Sequence, residues 1–298
     1  MTAPTSPGAT STTFTTRSGL PLAADVWPDG AAPSVVLIHG GGQTRHSWGG
    51  TGAALAASGR RVVAYDQRGH GDSGRPADRD YAHVLFADDC VDVCATLAER
   101  DGVAPVVVGA SLGGLAALMA EGSIAPGSAS ALVLVDITPR MEPAGVDRIV
   151  GFMLDRIDDG FGTLDEAADA IADYQPHRPR PTDLRGLEKN LRLGDDGRWR
   201  WHWDPDLFRG PHPLGARKAA HTFEEAASRL RIPTLLVRGR QSDLVSEETA
   251  REFLALCPGA EFVDVSGAGH MVAGDRNDVF TAAVVDFVDR LPTQATSG

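Results

Sequence analysis

The chain has 298 residues, 42% of them hydrophobic, enough to bury one large core or two smaller ones. Asp and Glu outnumber Lys and Arg by 40 to 28, the net charge is −12, and Lys189 and Lys218 are the only lysines. No basic run offers a surface to nucleic acid or anionic lipid, and no apolar run approaches the ~18 residues of a membrane span, so a cytoplasmic protein with no nucleic-acid or membrane partner is expected.

The start, "MTAPTSPGATSTTF", lacks the charged end and apolar centre of a signal peptide and, like the closing "PTQATSG", reads as a frayed terminus. "TFTTR" and "LAADVW" then alternate in polarity and meet at "SGLP", which predicts an antiparallel hairpin. Six runs of buried-strand type follow: "SVVLIH", "RVVAYD", "APVVVGA", "ALVLVD", "TLLVRG" and "EFVDV". Helical spacing falls between them, over Trp48–Ser58, His83–Arg100, Leu112–Glu121, Glu247–Leu256 and Asp278–Leu291. Strands alternating with helices predict an α/β fold, a mostly parallel eight-stranded sheet flanked by helices.

The alternation breaks between Asp136 and Ile232. Helix-like "AGVDRIVGFMLDRI" and "TLDEAADAIADY" come first, then the Pro- and Arg-rich "PHRPRPTD", then "LEKNLRLGDDGRWRWHWDP". Residues 1–136 and 232–298 are therefore expected to form the core, and 137–231 an inserted, mainly helical cap. In the last stretch Asp195, Asp196 and Gly197 mark a turn, and strand alternation puts Trp199, Trp201 and Trp203 on one face. Those indoles either glue the cap together or bind substrate from the pocket roof. The three cysteines form no paired motif; Cys90 and Cys94, one helical turn apart, read as buried apolar groups.

One motif carries chemistry. In "VVVGASLGGLAAL" the run Gly109-Ala110-Ser111-Leu112-Gly113 matches G-x-S-x-G between a predicted strand and a predicted helix. A serine on so tight a turn projects over the carboxyl edge of the sheet, and side chains in place of its neighbouring glycines would clash. A hydroxyl is a weak nucleophile and needs a base and an orienting acid. His270 follows the last strand in a loop of small residues, and Asp243 follows the strand before it, giving the chain order Ser, Asp, His. Asp136 also ends a core strand and is the alternative acid. Asp66, in a glycine- and charge-dense loop, is expected to bond neighbouring loops instead. The N–H of Leu112 and those of the Gly40–Gly42 run supply candidate oxyanion donors. No P-loop, dinucleotide fingerprint or metal-ligand spacing is present, so no cofactor and no metal are expected.

Taken together, the HG loop at His39-Gly40, "YDQRGHGDS" and the G-x-S-x-G elbow resemble those of the capped α/β-hydrolases, from Phe14 to Leu291. The resemblance implies Ser111 as nucleophile, His270 as base, Asp243 as acid with Asp136 at an alternative acid position, and N–H donors from Gly41 and Leu112. It implies an enzyme: a serine hydrolase cleaving an ester or lactone of a small to medium apolar carbonyl substrate through an acyl-enzyme. Carbon-carbon bond hydrolases and cofactor-free haloperoxidases of that family use the same triad, and a few members are small-molecule receptors. Members that open epoxides or remove halogens carry aspartate at the elbow, where this chain has Ser111.

Overall fold

Short β-branched runs become strands wherever the sequence predicts them, beginning with the hairpin of β1 (Thr10–Thr15) and β2 (Pro21–Trp27), in which Phe14 faces Leu22. The coordinates are a computed structural model and describe residues 5–6, 8–175, 180, 184–214, 220–271 and 277–293. After the hairpin come β3 (Ala31–Ile38), α1 (Gly49–Ala57), β4 (Arg60–Tyr65), α2 (His83–Asp101), β5 (Val106–Ala110), α3 (Leu112–Met119) and β6 (Ala131–Val135). The next part holds α4 (Pro143–Leu154), α5 (Leu164–Tyr174), β7 (Leu191–Leu193), β8 (Trp199–Trp201), α6 (Asp206–Arg209) and α7 (Ala220–Ser228). The chain closes with β9 (Thr234–Gly239), α8 (Glu247–Leu256), β10 (Glu261–Val265) and α9 (Thr281–Asp289).

The eight-stranded sheet runs β1-β2-β4-β3-β5-β6-β9-β10. From β4 to β10 every neighbour is parallel, so six strands end at one edge. Helices cover both faces, which is why Val35–Ile38 of β3 and all of β5 and β6 are unbroken buried runs rather than alternating ones. One face packs on α2, α3, α7 and α8 through residues such as Val93, Leu118, Phe223 and Phe253; the other packs on α1 and α9 through Leu55, Val284 and Phe287. Cys90, Cys94 and Cys257 are free thiols in these layers, buried as expected.

Two expectations change. β10, read as a buried strand, is the sheet edge, with β9 as its one neighbour and Phe262 and Val263 exposed. The break in alternation falls where expected, between β6 and β9, but its last helix does not keep to itself. Phe223, Ala226 and Ala227 of α7 pack into the core cluster with α2 and α3, whereas α4, α5 and the β7–β8 hairpin build a separate cluster around Trp201, Phe152 and Phe161. "PHRPRPTD", apart from Arg180, lies outside the described residues, as do parts of both termini. No described helix is long and apolar enough to cross a membrane.

Candidate active site

The turn from β5 into α3 is made by Ser111 alone, at φ 47° and ψ −118°. That left-handed conformation costs a non-glycine residue roughly 1–3 kcal/mol and persists only where the surroundings enforce it. Here they do. A Cβ at Gly109 would stand 2.5 Å from the Gly113 carbonyl oxygen, and one at Gly113 would stand 2.6 Å from that of His39, so strand, helix and the neighbouring loop close to backbone contact. The Ser111 N–H donates to the Val135 carbonyl at 3.1 Å, which ties the elbow to the residue before Asp136.

Asp136, at the end of β6, is held in the same unusual region (φ 51°). Its carboxylate accepts from His270 Nδ1 at 2.8 Å, Ser242 Oγ at 2.9 Å and the Gly239 N–H at 3.0 Å. His270 and Asp136 are both buried. The first-choice acid of the sequence reading is corrected by this geometry: Asp243 is about one-third exposed and pairs with Arg148 of α4 at 2.8 Å. The physical reason is local. Ser242, the residue before Asp243, turns its hydroxyl toward Asp136 while accepting the Leu244 and Val245 N–H groups, and that loop sends the next side chain away toward α4. With Nδ1–H committed to Asp136, His270 keeps its lone pair on Nε2, the form a general base needs.

The loop after β3 presents Gly40, Gly41 and Gly42. The Gly40 N–H donates to Gln43 Oε1 (3.0 Å) and the Gly42 N–H to His70 Nε2 (3.2 Å), while the Gly42 carbonyl accepts from His202 Nε2 (3.2 Å). Between them the Gly41 N–H carries no bond among the described residues. Gly41 and Leu112 open into the same cavity as Ser111, consistent with the expected oxyanion donors.

Three histidines to which the sequence reading gave no role hold this loop. His39, His70 and His202 are fully buried, with successive ring centres 5.2 and 5.9 Å apart. Each uses both nitrogens: His39 donates to the Gly40 carbonyl and accepts from the Gln67 N–H, His70 joins the Arg68 carbonyl to Gly42, and His202 joins the Gly71 N–H to Gly42. Burial lowers the pKa of His39 to about 4 and, with His39 beside it, that of His70 to about 3; burial and His70 hold His202 well below the usual histidine range. The rings are neutral at pH 7. His202 lies on the opposite face of the strand pattern from the tryptophans, the one sequence signal that set it apart. Asp66 bonds neighbouring loops, as expected, accepting from the Arg45 and Asp72 N–H groups and pairing with the Arg45 guanidinium.

From Ser111 a cavity of about 300 Å³ extends between α4 and the core, walled by Leu115, Ile149, Val150, Met153 and Phe223 among others. Its polar side chains, among the described residues, are Ser111, His83 and Arg140, and the Arg140 guanidinium is engaged by Glu224 at 2.7 Å and Glu252 at 3.1 Å. Trp199, Trp201 and Trp203, entertained as substrate-binding residues, do not line it. Trp201 and Trp203 stack instead at 4.8 Å, and Trp203 Nε1 donates to the carbonyl of Met153, a cavity residue. Trp203 also lies against Gly42, where a Cβ would meet its ring at 3.3 Å. Trp201 and Trp203 therefore brace the cavity wall from behind, buried with Phe152 and Phe161 in the cluster beneath α4.

Comparison with known proteins agrees with this architecture. The model of the alpha/beta hydrolase family matches residues 35–283. An esterase of Mycobacterium tuberculosis is 30% identical over 260 residues, 83% of this chain and 80% of that one. A 3-hydroxybutyrate-oligomer hydrolase of Cupriavidus necator is also 30% identical, over 84% of this chain and 86% of its own. The crystal structure of an alpha/beta hydrolase from Novosphingobium aromaticivorans superposes with a TM-score of 0.78 at 26% identity, over 95% of this chain and 99% of the other.

Proposed function

Given that the chain belongs to the alpha/beta hydrolase family and is a hydrolase, we propose that it is a serine esterase acting on neutral carboxylic esters with a medium-length apolar acyl chain. One observation carries this reading: Ser111, held at φ 47° on its strand-to-helix turn, shares a largely apolar cavity with Gly41 and Leu112. The likeness to an esterase supports the same bond type.

His270 Nε2 takes the Ser111 proton as Oγ attacks the ester carbonyl. The imidazolium that forms is stabilised by Asp136 through Nδ1. Negative charge gathers on the carbonyl oxygen, toward which the Gly41 and Leu112 N–H groups donate; each such donor contributes about 3–4 kcal/mol to the barrier reduction. Collapse expels the alcohol, which receives the proton from His270, and a water deprotonated by the same nitrogen then hydrolyses the acyl-enzyme. A cavity of about 300 Å³ has room for a medium-length acyl chain. With Arg140 already paired to two glutamates, a free carboxylate in the substrate would find no unpaired cation among the described residues lining the cavity, and its desolvation would oppose binding. α4 serves as the cap element over the chain, lining the cavity through Ile149, Val150 and Met153, and a lactone of similar size would react by the same steps.

A fluorophosphonate probe tests the assignment. Wild-type protein should label stoichiometrically at Ser111 and hydrolyse p-nitrophenyl hexanoate to decanoate, with both lost in Ser111→Ala. Turnover of vinylogous diketones without any ester turnover would replace the reading by carbon-carbon bond hydrolysis, and wild-type protein that never labels would remove it.

A further inference from the structure

His83, the first residue of α2, lines the same cavity as Ser111 and is half-buried there. Its ring meets Phe223 edge-on at 5.4 Å, yet neither nitrogen bonds to any protein group among the described residues. Three fully buried histidines behave differently: His39, His70 and His202 each spend both nitrogens on backbone groups. Arg140, the remaining polar side chain of the cavity besides Ser111, is held by Glu224 and Glu252. A half-buried ring with no protein partner, beside Phe223 and aliphatic neighbours, is left to bond whatever occupies the cavity, and a purely apolar occupant would strip that partner away at a cost. A pocket meant for plain hydrocarbon would place an apolar side chain there.

From this geometry we propose that His83 is a specificity-determining residue, and that the preferred substrates are esters whose acyl chain carries an oxygen function, a hydroxyl or a second carbonyl, beyond the scissile group. The inference rests on the esterase reading of the site. Burial lowers the His83 pKa, so the ring is neutral at pH 7 and offers one N–H donor and one lone pair. A hydroxyl can use either, and a carbonyl uses the donor. Both differ from a carboxylate, which a neutral ring does not compensate.

The test compares ethyl octanoate with its positional hydroxy and oxo derivatives by pH-stat assay, in wild type, His83→Phe and His83→Gln. At least one oxygenated chain should exceed octanoate in kcat/KM by about tenfold, the worth of one good hydrogen bond. His83→Phe should erase that preference, mainly through KM, by costing the oxygenated chain far more than it costs octanoate; His83→Gln, which keeps a donor and an acceptor, should restore part of it. Equal rates for all chains in wild type, or an equal loss on every substrate in His83→Phe, would overturn the proposal. Binding of the same esters to Ser111→Ala and to Ser111→Ala/His83→Phe, read by calorimetry, separates the two claims. A His83-dependent preference in binding without wild-type turnover would leave this inference standing and remove the esterase reading.

Discussion

At the scale of single residues, Asp136 and Asp243 leave adjacent strands at the same edge of the sheet and end in different electrostatic company. Asp136 faces His270, Ser242 and the Gly239 N–H; Asp243 faces Arg148 near the surface. Asp136→Asn removes the acceptor that fixes the His270 tautomer and is expected to lower kcat on a p-nitrophenyl ester by about two to four orders of magnitude. Asp243→Asn breaks only a part-exposed ion pair, worth under about 1 kcal/mol, and is expected to change kcat/KM less than about threefold. Steady-state kinetics on the two purified variants decide the matter, and the reverse ranking would return the acid role to Asp243. Ser111 needs no such choice, since a single serine occupies the one elbow whose glycines permit backbone contact.

At the scale of elements, the loop after β3 is held on two sides. His70, from the loop after β4, takes the Gly42 N–H, and His202, the residue after β8 and between the stacked Trp201 and Trp203, donates to the Gly42 carbonyl. The hairpin segment thus reaches across to the candidate oxyanion donors. Since oxyanion bonds strengthen in the transition state, a misplaced Gly41 N–H should show in kcat rather than in KM. His202→Ala is expected to lower kcat about tenfold with KM little changed, in a protein whose circular dichroism matches wild type. If KM rises instead and kcat holds, the His202 contact serves only to attach the hairpin.

The whole molecule answers to pH through the same rings. His39 and His70 stay neutral when folded down to about pH 4 and about pH 3, well below the ~6.5 of a histidine in an unfolded chain. Between those values the unfolded state binds more protons, so folding stability is complete above about pH 6.5 and falls as pH drops toward 4. Each such histidine contributes about 1.4 kcal/mol per pH unit, or about 2 kcal/mol between pH 6.5 and 5. Urea unfolding at pH 7, 6 and 5 should show this decline; Asp25, whose burial is outweighed by bonds from Ser6 and Arg45, has its pKa lowered and stays ionised over that range. A flat profile over that range would mean that the folded protein accommodates charged rings in the cluster.

What the sequence determines by itself is what local chemistry encodes. Period-2 and period-3.6 patterns placed the strands and helices of the core, because each face of an element records its own burial. G-x-S-x-G singles out Ser111, because a turn in which a Cβ added at Gly109 would stand 2.5 Å from a backbone oxygen admits only glycine there. The small-residue loop after the last strand singled out His270. Only the tertiary structure decides between the aspartates, since both follow core strands in similar composition, and the difference lies in the positive φ of Asp136 and the direction of the Ser242 loop. It likewise sends the tryptophans into one another rather than into the cavity, and brings His39, His70 and His202 together across 163 positions of chain. Contacts between distant segments leave no periodicity in either segment, so composition and spacing carry no record of them.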